Sequence, residues 1–114
     1  MAEFAFYGGG PRAIIALAKT IGTCARKHSV HVLATSGFHW TERDRSRPYC
    51  IHFEVTGSKR KIAAFLDELV APEGWTFRSC PGTVASHTKP DAEFNAEYIP
   101  ILNENIHRWM HGVD

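Results

Sequence analysis

The sequence predicts an α+β domain, because two segments with helical periodicity are each flanked by segments that alternate in the manner of strands. The clearest helical pattern, over residues 59–70, repeats apolar side chains every three or four positions. The clearest strand pattern, over residues 49–55, alternates apolar and polar side chains without a break. In chain order the elements are β-α-β-β-α-β. This order predicts a ferredoxin-like sandwich, with a four-stranded antiparallel sheet and two helices on one face.

The chain begins with a short strand, a glycine-rich turn and a helix. Residues 4–7 are mostly aromatic, residues 8–10 are all glycine, and Pro11 follows at a position that suits the first turn of a helix. The helical pattern over residues 13–28 places apolar side chains at i, i+3, i+4 and i+7. These four residues are Ile14, Leu17, Ala18 and Ile21.

A hairpin with a charged tip and a second helix complete the predicted domain. Residues 30–40 and 49–55 form its strands, and Ser58 suits the N-cap of the helix that follows. Residues 75–80 form the last strand. The predicted core consists of Phe4, Phe6, Ile14, Leu17, Ile21, Val32, Ile51, Phe53, Ile62, Phe65, Leu66, Leu69 and Phe77.

The domain is predicted to cover residues 1–82, and residues 83–114 to form a C-terminal helical extension. Pro100 either kinks this extension or begins a second helical piece. Its apolar stripe is large for a surface helix, so we expect the extension to pack on the open sheet face or on a second copy of the chain. A homodimer through either surface is therefore a possible assembly. The stripe consists of Leu102, Ile106 and Trp109.

Composition limits the classes of function. The 114 residues are 44% hydrophobic and carry a net charge of +1, which is ordinary for a globular domain and gives no overall attraction to nucleic acid or membranes. The three cysteines are widely spaced and odd in number, which favours reduced thiols over a disulfide framework. The start of the chain lacks the pattern of a signal peptide. We therefore expect a cytoplasmic protein without a membrane partner.

The glycine turn is the first candidate site. Glycine N–H groups and the positive end of the helix behind them favour an anion. In the predicted topology the arginine-rich hairpin tip lies at the same end of the sheet, and guanidinium groups bind phosphate well. The expected ligand carries phosphate, as a nucleotide or as a nucleic-acid backbone. The predicted binding residues are Gly8, Gly9, Gly10, Arg12, Arg43, Arg45 and Arg47.

The polar face of the hairpin is the second candidate site. If the two strands pair across the tip, His39 lies opposite or near Cys50, with His52 and Glu54 following on the same side. Imidazole, thiolate and carboxylate can together bind zinc or another transition metal. The alternative functions are therefore a metal-dependent enzyme that cleaves phosphoesters on the open sheet face, and an interaction module without catalysis. The sequence leaves open whether the protein is an enzyme.

One segment resembles the acylphosphatases, which are ferredoxin-like proteins with an anion-cradling loop after the first strand. The resemblance covers Phe53-Glu-Val-Thr-Gly-Ser58 and Ile62-Ala-Ala-Phe-Leu66, and it implies a shared architecture. Their catalytic loop contains glutamine and ends in phenylalanine–arginine, whereas the loop here is Tyr7-Gly-Gly-Gly-Pro-Arg12. No asparagine occurs before Asn95 to match their catalytic asparagine, so the resemblance does not extend to catalysis.

Overall fold

The computed structural model describes residues 2–9, 13–40, 49–78, 88–90 and 92–112. Within these ranges the chain forms strands and helices in the order β1 (Ala2–Tyr7), α1 (Ile14–His28), β2 (His31–Trp40), β3 (Tyr49–Thr56), α2 (Lys59–Glu68), β4 (Thr76–Arg78), β5 (Thr88–Pro90) and α3 (Ala92–Met110).

The described strands form one antiparallel sheet in the order β4-β1-β3-β2-β5. The predicted α+β class is confirmed. The sheet has one strand more than expected, because β5 pairs beside β2, whereas α3 is the helix expected in the C-terminal extension. β5 lies in a segment that was expected to be part of the helical extension. The strand was not predicted, because three residues are too few to give a strand pattern in the sequence.

The core lies between one face of the sheet and all three helices. On β1 and β3, Phe4 and Phe53 are fully buried, and their rings stack with centroids 5.1 Å apart. The helices add fully buried side chains to the same cluster, including Phe65 from α2 and Leu102 and Ile106 from α3. The apolar stripe of α3 therefore packs inside this chain, on the face that carries the other helices, and leaves the open sheet face uncovered by α3.

Local signals in the sequence explain where the helices begin and end. Ser58 accepts a hydrogen bond from the backbone N–H of Lys61 at 3.2 Å, so it is the N-cap of α2, as predicted. α3 continues through Pro100 as one helix, with Pro100 on its exposed side.

Of the helices in the described ranges, none combines the length and the apolar character needed to cross a bilayer.

α1 and α3 approach closely at Gly22. A Cβ atom on Gly22 would lie 2.5 Å from the Cβ of Trp109 and 2.8 Å from the carbonyl oxygen of Ile106. Beside this contact the ammonium of Lys19 lies 5.1 Å from the ring centre of Trp109, a cation–π distance. Gly22 weakens an isolated helix, and here it permits the contact between the two helices.

Two asparagines of α3 bind the outer edge of β2. Asn103 accepts a hydrogen bond from the N–H of Ala34 at 2.7 Å and donates one to the carbonyl of Ala34 at 2.9 Å. Asn95 accepts a hydrogen bond from the N–H of Gly37. β5 pairs with β2 only from Phe38 onwards, so the side chains of α3 replace a neighbouring strand along the rest of this edge. An unpaired edge is a site of aggregation, and α3 protects it.

Replacing Asn103 with alanine should lower the free energy of unfolding by about 1–3 kcal/mol, because it leaves the N–H and carbonyl of Ala34 without these partners. The matched control is Asn105→Ala, since Asn105 donates only to the carbonyl of Ile101 in its own helix. Urea unfolding followed by circular dichroism compares the two variants. Equal stability of both would show that the edge contact is unimportant.

Candidate anion-binding site

The turn after β1 needs glycine at two positions for different reasons. Gly8 has a φ of +98°, in the region that residues with side chains rarely adopt. Gly9 is buried, and a Cβ there would overlap the indole ring of Trp75. Two of the predicted binding residues are thus explained by backbone geometry and by packing. The third glycine, Gly10, lies outside the described residues.

Trp75 connects the turn to the start of α1. Its indole is buried, and Nε1 donates a hydrogen bond to the carbonyl of Ala13 at 3.2 Å. Its own backbone N–H donates to the carbonyl of Pro72 at 3.1 Å. These contacts fix the first residues of α1, the Gly9 backbone and the connection between α2 and β4 relative to one another.

Among the described residues, no side chain caps the N-terminus of α1. Ala13 occupies the N-cap position, and no acidic residue lies in the first turn. The last turn, by contrast, carries Arg26, Lys27 and His28, which suit the negative end of the helix dipole. The first N–H groups of an α-helix have no partner within the helix, so those of α1 can donate to an anion.

A surface hollow of about 420 Å³ lies beside this turn. Its described lining consists of Tyr7, Gly8, Gly74 and Thr76, and this lining contains no carboxylate. Gly8 faces the connection before β4, since a Cβ on Gly8 would lie 3.6 Å from the carbonyl oxygen of Gly74. Arg78 extends over Tyr7 from the neighbouring strand, with its guanidinium carbon 5.3 Å from the ring centre. The hollow is therefore polar and lies close to a positive charge.

Arg12 and the predicted arginines of the hairpin tip, Arg43, Arg45 and Arg47, lie outside the described residues. The strands that flank the tip are described. β2 ends at Trp40 and β3 starts at Tyr49, and the next residue, Cys50, pairs with Tyr7 of β1. The connection between β2 and β3 therefore leaves and rejoins the sheet at the end where the glycine turn lies.

Three of the four predicted metal ligands, Cys50, His52 and Glu54, lie at alternate positions of β3, and the side chain of His39 lies outside the described residues. In the backbone register of β2 and β3, Phe38 pairs with Cys50 and His39 pairs with Tyr49, so His39 is one position away from lying opposite Cys50. Within the described ranges, no group of three or more histidine, cysteine or acidic side chains is arranged to hold a metal ion.

The surroundings of Cys50 and His52 shift the pKa of both side chains. Cys50 is fully buried next to Ala5. Burial raises the pKa of its thiol to about 11, against a small opposing effect of Arg78, so the thiolate that a metal requires is scarce at neutral pH. Burial also lowers the pKa of His52, and the carboxylate of Glu3 partly opposes this effect. Glu54 is half-buried on the same strand.

Three residues of the site were missed by the sequence predictions. Trp75 was predicted only as the start of a strand, although it supports the glycine turn, and Gly74 and Thr76 line the hollow. Gly74 has a φ of +91°, so the turn pattern Pro72-Glu-Gly-Trp75 was a usable signal. The contact between Trp75 and Gly9 joins distant parts of the chain, and no local pattern indicates it.

Comparison with known proteins adds no relative. No protein-family model matches the chain, and none of the curated proteins or solved structures matches it either.

Proposed function

We propose that the end of the sheet around Gly8 binds an anionic, phosphate-bearing ligand, either a nucleotide or the backbone of a nucleic acid. The observation that carries this proposal is the first turn of α1, which has no side-chain cap among the described residues and lies at the same end of the sheet as a polar hollow whose described lining contains no carboxylate. A helix N-terminus with free N–H groups binds phosphate through hydrogen bonds and through the helix dipole.

The contacts of Trp75 support binding. Because Trp75 packs on Gly9 and donates to the carbonyl of Ala13, the Gly9 backbone and the start of α1 are held in place before a ligand arrives. A preorganised site loses little conformational entropy on binding. Arg12 directly precedes Ala13 in the sequence, and a guanidinium at that point can donate two hydrogen bonds to one phosphate.

The architecture that we propose for the domain is the ferredoxin-like sandwich, extended by β5 and α3. Its support is the element order from β1 to β4, the central position of β1 and β3, and the helices on a single face. In this arrangement the β1–α1 turn and the β2–β3 connection share one end of the sheet. Both positively charged segments of the sequence can therefore contact one ligand.

Calorimetry tests the proposal with three probes: inorganic phosphate, adenosine monophosphate and a short single-stranded DNA. We expect Arg12→Ala to weaken binding by about 1.5–3 kcal/mol, the scale of hydrogen bonds to a charged group. The control is Arg60→Ala, which removes an exposed arginine from the first turn of α2, at the other end of the sheet. Salt should weaken the binding of DNA steeply and that of the monophosphate slightly.

Two results would contradict the proposal. One is the absence of binding for all three probes at low salt. The other is an equal effect of Arg12→Ala and Arg60→Ala, which would mean that a general positive charge attracts the probes and that the glycine turn has no specific role.

A further inference from the structure

Two histidines lie side by side on the last turns of α3. His107 and His111 are four residues apart, and their ring centroids are 4.2 Å apart at an interplanar angle of 55°. Both residues are exposed to solvent. Side chains at i and i+4 share one face of a helix, so the two imidazoles can reach one small ligand together.

We propose that His107 and His111 chelate a divalent transition-metal ion of the class of Zn²⁺, Ni²⁺ or Cu²⁺. Imidazole nitrogen suits these ions, whereas Mg²⁺ prefers oxygen ligands. Among the described residues no three metal-binding side chains converge, so the proposed chelate uses these two imidazoles, and water can occupy further coordination positions. This site lies on a helix and is separate from the metal ligands that the sequence predicted on the sheet.

The backbone beneath the two rings is held by tertiary contacts. Trp109, between the two histidines, packs on Gly22 of α1. The N–H of His111, which directly follows α3, donates to the carbonyl of His107 at 3.1 Å, and the turn after the helix contains Gly112, whose φ is +66°. Because this turn is already ordered, metal binding needs to restrict only the two side chains, which favours a chelate.

The nearest charged groups on the helix are already paired with each other. Glu104 lies one turn before His107, and Arg108 donates to its carboxylate at 3.0 Å. Both side chains are exposed, and an exposed pair of this kind contributes little to stability. Breaking it would release a carboxylate near His107, but the proposed chelate requires only the two imidazoles.

Titration of the untagged full chain with zinc chloride tests the proposal, with magnesium chloride as the control ion. Zinc should bind with one ion per chain at this site, and His107→Gln and His111→Gln should each weaken that binding roughly tenfold or more. A matched control combines Asn105→His with His111→Gln, since Asn105 bonds only the carbonyl of Ile101 in its own helix. It keeps seven histidines and the Glu104–Arg108 pair but places the two histidines two positions apart, which do not face each other on a helix, and it should bind as weakly as His111→Gln.

A second measurement locates the ion. Paramagnetic Cu²⁺ should broaden the amide NMR signals of residues 107–112 first and most strongly in the wild type, and should not do so in His111→Gln. The proposal is overturned if zinc affinity is unchanged in the single variants, if the Asn105→His/His111→Gln control binds as the wild type does, or if broadening centres elsewhere in the chain.

Discussion

Replacing Phe65 with alanine should lower the free energy of unfolding by about 3–5 kcal/mol, the usual range for a phenylalanine that is enclosed in a core. Phe65 is fully buried, and its ring centroid lies 5.7 Å from that of Phe4. Within α2 only Ile62 and Phe65 are buried, so this ring is the larger of the two α2 side chains enclosed in the core. Urea unfolding followed by circular dichroism measures the change.

Leu66→Ala is the control for this prediction, because it shortens a neighbouring side chain of α2 that is only partly buried. We expect a clearly smaller loss of stability for Leu66→Ala than for Phe65→Ala. If the two variants unfold at the same urea concentration, the assignment of Phe65 to the core is wrong.

Replacing Gly22 with alanine should lower the stability of the protein, although alanine has the higher helix propensity. In an isolated helix, Gly→Ala stabilises by about 1 kcal/mol. In α1 the added methyl group meets the Cβ of Trp109 and the backbone carbonyl of Ile106, and neither can move without separating the helices. We therefore expect Gly22→Ala to destabilise by about 1–3 kcal/mol, and Gly22→Leu by more.

Thr23→Ala provides the control for Gly22, since Thr23 is exposed on the same turn and alanine is the better helix former. Thermal unfolding should show a lower melting temperature for Gly22→Ala and an unchanged or higher one for Thr23→Ala. A stabilised Gly22→Ala variant would mean that α1 and α3 pack less closely than described.

The parts of the fold that the sequence predicted well are those that local interactions determine. The periodic apolar side chains of α1 and α2 and the N-cap Ser58 need no distant partner, and all were predicted. The register of β2 on β3 and the position of α3 depend on contacts between remote segments. Residue patterns contain little information about such contacts, which is why α3 was expected on the open sheet face or on a second copy.

The same difference between local signals and distant contacts applies to the candidate site. The sequence identified the glycine turn because glycine and proline before a helical pattern are local signals. It could not show that Gly9 is required by Trp75, or that Gly74 and Thr76 share a hollow with Gly8. Equally, alternation placed Cys50 and His52 on one face of β3, but their burial depends on the whole sheet and could not be predicted.

The two asparagines that cover the edge of β2 have a consequence for the order of folding. The bonds of Asn95 to Gly37 and of Asn103 to Ala34 join residues 58 and 69 positions apart in the chain. Contacts at such separations form slowly, because a long loop must close first. During refolding we therefore expect an interval in which β2 is formed but α3 is not yet docked. In that interval the N–H groups of Ala34 and Gly37 can pair with a strand of another molecule, so the yield of refolded protein should fall as its concentration rises.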